Sequence, residues 1–308
     1  MIGILDTASH SNNLGDRIIM NACETVFEEL GIWPRLSLAT HKSWSLSEIK
    51  NATQAKYWIL CGTNALNSHH FFKFRSQWRL NLVHAAALRQ KVIGLGLGWW
   101  QYQPKIDAPT AALYKFIFKR DFTHSMREKY SVDKFSQIGL FSDNTSCPTL
   151  WNVGNEFESR TDGIIFSLTY YRKNYKRDLH LYKLLKGYYG RVIFFAQSSE
   201  DLIYLKKLDI RPDLALTTIN EFQQYLSIGY GYCGTRLHAG IFALQSGRDA
   251  HIVAVDNRSV ELSRDSNLSL IEEKDLFQNH FDFMKVKTKI RLPIQTIQKF
   301  KDDLVSLK

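Results

Sequence analysis

Met1-Ile2-Gly3-Ile4-Leu5-Asp6-Thr7, then Ser11-Asn12-Asn13-Leu14-Gly15-Asp16, then the amphipathic stretch from Arg17 to Leu30 open the chain in that order. A short apolar run, a polar loop containing glycine and a helical pattern together read as one strand–loop–helix unit. The rhythm continues. Strands are expected over Trp33 to Ala39, Lys56 to Thr63 and Lys91 to Gly98, and a helix over Phe74 to Arg89. Asp107 reads as an N-cap, with Pro109 in the first turn and Ala111, Ala112 and Phe116 forming a helical stripe.

After a loop from Asn152 to Asp162 the pattern restarts. Strands are expected over Gly163 to Thr169, Arg191 to Gln197 and His251 to Asp256, and helices over Arg177 to Tyr188, Asp201 to Leu208, Ile219 to Leu226 and Leu237 to Gln245. Strands alternating with helices imply βαβ units and parallel sheets. Two such series predict an α/β chain of two doubly wound Rossmann-like domains, 1–152 and 153–292, facing a cleft into which the loops at the carboxyl ends of both sheets project. The last segment, 293–308, begins with Pro293 and places Ile294, Ile297, Phe300, Leu304 and Leu307 on one helical face, so it is expected to dock on the body.

Composition narrows the function classes. Four scattered cysteines, Cys23, Cys61, Cys147 and Cys233, form no CxxC pair and have no histidine at metal-ligand spacing, which argues for reduced thiols and against a zinc site or a disulfide framework. The chain runs from Met1 straight into an apolar strand, and no apolar run approaches the roughly 20 residues of a membrane span, so a cytoplasmic protein is expected. A formal charge of +10 favours acidic partners, and between Ile49 and Ile106 there are eight Lys or Arg and no Asp or Glu. That stretch reads either as a basic face able to touch an anionic membrane or as a solvated surface. No helix-turn-helix, RNP or zinc pattern supports a nucleic-acid partner.

Three runs carry chemistry. Gly229-Tyr230-Gly231-Tyr232-Cys233-Gly234-Thr235-Arg236-Leu237-His238-Ala239-Gly240 reads as a glycine-rich loop entering an apolar helix, whose first N–H groups beside Arg236 would hold phosphate or carboxylate. The other reading makes Arg236 part of a structural ion pair and His238 a core histidine. Asn13-Leu14-Gly15-Asp16 lies where a doubly wound fold meets its ligand, and Asp16 also reads as an N-cap. Gly94-Leu95-Gly96-Leu97-Gly98 allows close backbone approach, but it has neither the helix nor the acidic partner of a dinucleotide fingerprint.

In this order the runs resemble the polysaccharide pyruvyl transferase family. The resemblance extends over Asn13 to Asp16, Cys61-Gly62-Thr63-Asn64, Arg120-Asp121 with Ser125, Gly234 to Ala239, and Val253-Ala254-Val255-Asp256-Asn257-Arg258. Arg-Leu-His-Ala is its most specific part. It implies a GT-B-like fold, no cofactor, phosphoenolpyruvate as co-substrate, and transfer of the enolpyruvyl group onto two hydroxyls of a sugar in a surface polysaccharide or its lipid-linked precursor. A pyruvate ketal and phosphate would result.

On that reading His238 is the proton donor and Asp16 orients or deprotonates the acceptor. Arg236, Arg120, Gly234, Thr235 and Leu237 hold the donor. Asn13, Gly15, Gly62, Asn64, Gly96, Asp256 and Arg258 line the acceptor side or the cleft, and no metal is required. The spacing from Arg120 to Ser125 is one residue longer than the family pattern, which leaves Arg120 and Arg127 as alternatives. Ser146-Cys147-Pro148 stands where many members have an acidic residue. A nucleotide-sugar glycosyltransferase of the same fold and a catalytically silent polysaccharide-binding paralogue are the competing readings.

Overall fold

The computed structural model describes residues 1–72, 78–278 and 288–308. Part of the expected Phe74 to Arg89 helix, and with it Lys73 and Arg75 of the basic stretch, therefore lies outside the described residues. The chain divides into two compact units. One comprises Met1–Ser11, Ile19–Trp151 and Leu292–Lys308, the other Asn12–Ile18 and Asn152–Arg291.

The first unit holds a parallel sheet in the order β2-β1-β3-β4, where β1 is Ile2–Asp6, β2 Leu36–Ala39, β3 Tyr57–Cys61 and β4 Val92–Leu95. A short parallel pair follows, β5 His124–Met126 with β6 Ser142–Asn144. Because successive side chains of a strand point to opposite faces, Trp58 and Leu60 of β3 enter one core and Ile59 and Cys61 the other. The first core is completed by Trp44, Trp78, Tyr114 and Phe118. The second is completed by Met20, Cys23 and Phe27 of the Leu14–Glu29 helix and by Ile297, Phe300 and Leu304 of the C-terminal Ile294–Val305 helix. Ile294, expected on that buried face, is 63 % exposed, because it opens the helix directly after Pro293, outside the packed turns.

The second unit is a six-stranded sheet of parallel pairs, ordered β12-β11-β10-β7-β8-β9. Its strands are β7 Gly163–Ser167, β8 Arg191–Phe195, β9 Leu214–Leu216, β10 Gly231–Gly234, β11 Ala250–Val253 and β12 Leu270–Ile271. The central strands are buried on both faces, which is why they read as continuous apolar runs such as Ile164-Ile165-Phe166 and Val192-Ile193-Phe194-Phe195.

Several sequence expectations are corrected. Trp33 to Ala39 becomes a strand only from Leu36, since Pro34 cannot donate to a ladder and Trp33 is 72 % exposed. The glycine-rich run before Arg236 is the buried strand β10, not a loop. Gly234 is required there by close approach, because a Cβ would lie 2.5 Å from the Ser167 carbonyl oxygen of β7. Asp16 is not the N-cap of its helix. The helix starts at Leu14, and Asn13 accepts from Gly15 N through Oδ1 at 3.1 Å. Asp107 does cap its helix, accepting from Thr110 N at 2.7 Å.

Two buried histidines tie stability to pH. Burial pushes His124 down to about 3 and His251 down to about 4. His124 is held neutral, its Nε2 donating to the Lys119 carbonyl at 3.0 Å while Nδ1 accepts from Gly94 N at 3.2 Å. Below pH about 6.5 both take up a proton in the unfolded chain but not in the folded one. Their contribution is therefore complete above about pH 7 and lost as pH falls towards 4, by up to about 1.4 kcal/mol per pH unit for each histidine. Urea unfolding from pH 8 to 4 measures this slope. His251→Gln is expected to flatten it, and an unchanged slope would reject burial of His251 as its cause.

Candidate active site

In the second unit the chain ends of β7, β8 and β10 meet at their carboxyl edge around one carboxylate. Asp201, in the first turn of the Ser199–Lys207 helix, is wholly buried. Its Oδ1 lies 2.5 Å from Arg236 Nη2 and accepts from Tyr170 N at 3.2 Å. Oδ2 accepts from Arg236 Nε at 3.1 Å and from Gln197 N at 3.1 Å. Arg236 is 4 % exposed, and this bidentate contact leaves Nη1 outside the pair.

The backbone of Arg236 is held separately. The hydroxyl of Tyr232, on β10, donates to the Arg236 carbonyl at 3.0 Å and accepts from its N–H at 3.3 Å. Burial pushes the Tyr232 phenol up, so it remains a neutral donor. Thr235 N donates to the Ser167 carbonyl at 3.0 Å, and its Oγ1 meets Thr169 Oγ1 at 2.9 Å. Leu237 then opens the Leu237–Gln245 helix, and no side-chain hydrogen bond caps its start. His238, 6 % exposed, is the second residue of that helix.

Tyr171 joins a second pair to the first. The Arg236 guanidinium lies 5.0 Å from its ring centre, and its hydroxyl accepts from Arg258 Nη2 at 2.8 Å. Arg258 is paired in turn with Asp256, Nε to Oδ2 at 2.9 Å, and Asp256 caps the Asn257–Ser266 helix. The Asn13–Asp16 run belongs to this unit too, since Leu14 N donates to the Gln197 carbonyl at 2.9 Å. Asp16 is 4 % exposed in the first turn that follows.

The first unit gathers another set at the carboxyl edge of its own sheet. Gly62 and Asn64 follow β3, and Gly96 and Gly98 follow β4. Gly96 takes φ +66°, and a Cβ there would lie 2.2 Å from Pro148 Cδ. Arg127, 2 % exposed, donates from Nη2 to Asn64 Oδ1 and from Nε to Glu128 Oε2 at 2.6 Å, and it packs against Gly98.

Arg120, expected to clamp the donor, is placed elsewhere. It is exposed, donates from Nε to the Lys115 carbonyl at 3.0 Å and lies beside the start of β4, where Lys119 N meets the Val92 carbonyl. The physical reason is the strand between the two arginines. Arg120 precedes β5 and Arg127 follows it, so they stand at opposite sheet edges. His124, within β5, is a core histidine.

The profile of the family described as "Polysaccharide pyruvyl transferase" matches residues 13–257. The chain belongs to the polysaccharide pyruvyl transferase family. As a family member it is a transferase of polysaccharide biosynthesis. No curated protein is similar to the chain at a significant level.

Among solved structures, a putative UDP-N-acetylglucosamine 2-epimerase from Listeria monocytogenes is 9 % identical, with a TM-score of 0.50 over 98 % of this chain and 90 % of that one. An S. aureus MnaA–UDP co-structure is also 9 % identical, with a TM-score of 0.48 over the same shares of each chain. The former likeness concerns the fold alone and makes the chain GT-B-like. Among the described residues no three His, Cys, Asp or Glu gather as a metal cluster, and no helix is long and apolar enough to cross a membrane.

In this pyruvyl transferase family member, then, Arg236 does form an ion pair, with a partner that carries no distinguishing signal in the sequence. Asp201 reads there as an ordinary acidic residue complementing a helix start. Removing one partner of a buried pair strands the other charge. Asp201→Ala is expected to cost roughly 3 to 5 kcal/mol, whereas the double variant Asp201→Leu, Arg236→Met should recover most of that loss in urea unfolding. A double variant as unstable as the single one would rule out a stranded charge as the cause.

Proposed function

We propose that the chain moves the enolpyruvyl group of phosphoenolpyruvate onto two hydroxyls of a sugar, forming a pyruvate ketal and releasing phosphate. The observation that carries this reading is the preorganised Arg236, fixed by Asp201 and Tyr232 at the uncapped start of the helix that bears His238. Arg236 Nη1 and the helix N–H groups bind the donor anion. His238 protonates the methylene carbon, and the electron pair of the double bond forms the new C–H bond. The neighbouring carbon becomes an oxocarbenium-like centre that a sugar hydroxyl attacks, losing its proton to Asp16. The second hydroxyl attacks the same carbon and gives its proton to His238 as the C–O bond to phosphate breaks; the ketal closes, and phosphate leaves with the proton held on Asp16.

The donor is neutralised on this reading by arginine and backbone N–H, so turnover requires no metal and should survive chelation. The acceptor is a polysaccharide or its lipid-linked precursor, and the basic residues between Ile49 and Ile106 favour weak, salt-reversible contact with an anionic membrane.

Purified protein incubated with phosphoenolpyruvate and a lipid-linked oligosaccharide fraction should release inorganic phosphate. Release of nucleotide from a nucleotide sugar instead would assign the rival glycosyltransferase activity. Arg236→Ala strands Asp201 and so also lowers stability; in the protein that remains folded it should raise the donor KM or abolish donor binding, with loss of roughly 1.5 to 3 kcal/mol for a charge-assisted bond. His238→Ala should lower kcat by about 10² to 10⁴ while calorimetric donor binding changes little. Near-wild-type turnover in a folded His238→Ala protein would exclude it as the acid.

A further inference from the structure

The second unit contains a buried polar group with no part in the roles assigned so far. Gln197 stands just past the carboxyl end of β8. Its backbone is tied on both sides, the carbonyl accepting from Leu14 N at 2.9 Å and the N–H donating to Asp201 Oδ2 at 3.1 Å. The residue is 2 % exposed, and Nε2 has no hydrogen-bond partner among the described residues. Most buried polar groups are paired, so an unpaired donor at a strand's carboxyl end calls for an explanation.

The surroundings define what it would meet. A Cβ on Gly15 would lie 3.0 Å from Gln197 Nε2, 3.2 Å from Asn13 Oδ1 and 3.4 Å from Asn13 Nδ2, so glycine at this position keeps a side chain off both carboxamides. The start of the Leu14–Glu29 helix is not an anion cradle. Leu14 N is taken by Gln197, Gly15 N by Asn13 Oδ1 and Asp16 N by the Asn13 carbonyl. Asp16, next in the chain and buried, adds a carboxylate that disfavours a second anion. Two carboxamides and a carboxylate suit a neutral group that both donates and accepts, and a hydroxyl does both.

We propose that Gln197 contacts substrate, donating from Nε2 to a hydroxyl oxygen of the sugar acceptor beside Asn13 and Asp16. The inference rests on the reading of a sugar acceptor given above. Methyl hexopyranosides, titrated singly into the full chain and followed by ligand-observed NMR, probe it without requiring turnover. The wild type should bind at least one of them, and Gln197→Met should weaken that binding about ten-fold with phosphoenolpyruvate binding unchanged in calorimetry and the melting temperature equal or higher.

Gln197→Glu keeps the shape and removes the donor, so it should weaken glycoside binding as much, which keeps the test open if the Met variant folds poorly. Wild-type glycoside binding in both variants, or no glycoside bound by the wild type, overturns the proposal. So does a loss confined to phosphoenolpyruvate, which would place the donor here instead. Failure of the pyruvyl transfer reading is judged separately, by phosphate release from the wild type.

Discussion

One wholly buried carboxylate organises the second unit. Asp201 accepts from the guanidinium of Arg236 and from the backbone N–H groups of Gln197 and Tyr170, which places it at the junction of the segments leaving β10, β8 and β7. Taking a charge pair out of water costs several kcal/mol for each ion, and the cost is offset only where the remaining lone pairs are satisfied. Here two backbone donors supply that satisfaction. The interaction consequently specifies geometry more than it adds stability, because it is well made only when three strand ends arrive together. The Asn13–Asp16 run follows from the same constraint, since Leu14 hangs from the carbonyl of the residue whose N–H Asp201 holds.

This changes how the arginine of the Arg-Leu-His run acts. A guanidinium already paired is not a free cation waiting for a counter-ion, and on the proposed reading an incoming anion would meet a dipolar pair together with the uncapped amides of the Leu237–Gln245 helix. What the protein gains is a fixed direction, and electrostatic catalysis depends on groups that need no reorganisation when charge develops. The first unit uses the same device, with Arg127 buried against Glu128 and aimed at Asn64. Two buried arginine–carboxylate pairs, each at the carboxyl edge of its own sheet, make a common design principle for the two halves.

Much of the architecture was legible in the sequence, because fully buried parallel strands leave unbroken apolar runs and Asp107 with Pro109 marks a helix start. Short strands were not. β5, β6, β9 and β12 have too few residues to show a period, and their apolar content is shared with neighbouring loops. The Leu46–Gln54 helix carried a readable signal, the capping box of Ser45 and Glu48, which its weak apolar stripe obscured. The motif residues are named by resemblance, and their structural partners are not. Asp201, Gln197 and Tyr171 lie on other elements, and nothing local distinguishes a partner brought in by topology from an ordinary helix-start acid or a core polar residue. Arg120 is near Ser125 in sequence but stands on the other side of β5 from Arg127.

The strand β10 shows how the two levels meet. Glycine at 231 and 234 looked like loop chemistry, yet both positions lie within the sheet, where Ser159 and Ser167 leave no room for a Cβ. Between them Tyr232 is long enough to reach past Gly234 and close the turn at Arg236 through both backbone groups of that residue. Its ring therefore fixes the arginine's main chain, Asp201 fixes the guanidinium edge, and Tyr171 stacks against the guanidinium and joins it to Arg258. A side chain with this many rotatable bonds would otherwise sample many positions at a cost of about 2 kcal/mol to order. Held at three points, Arg236 has met that cost during folding.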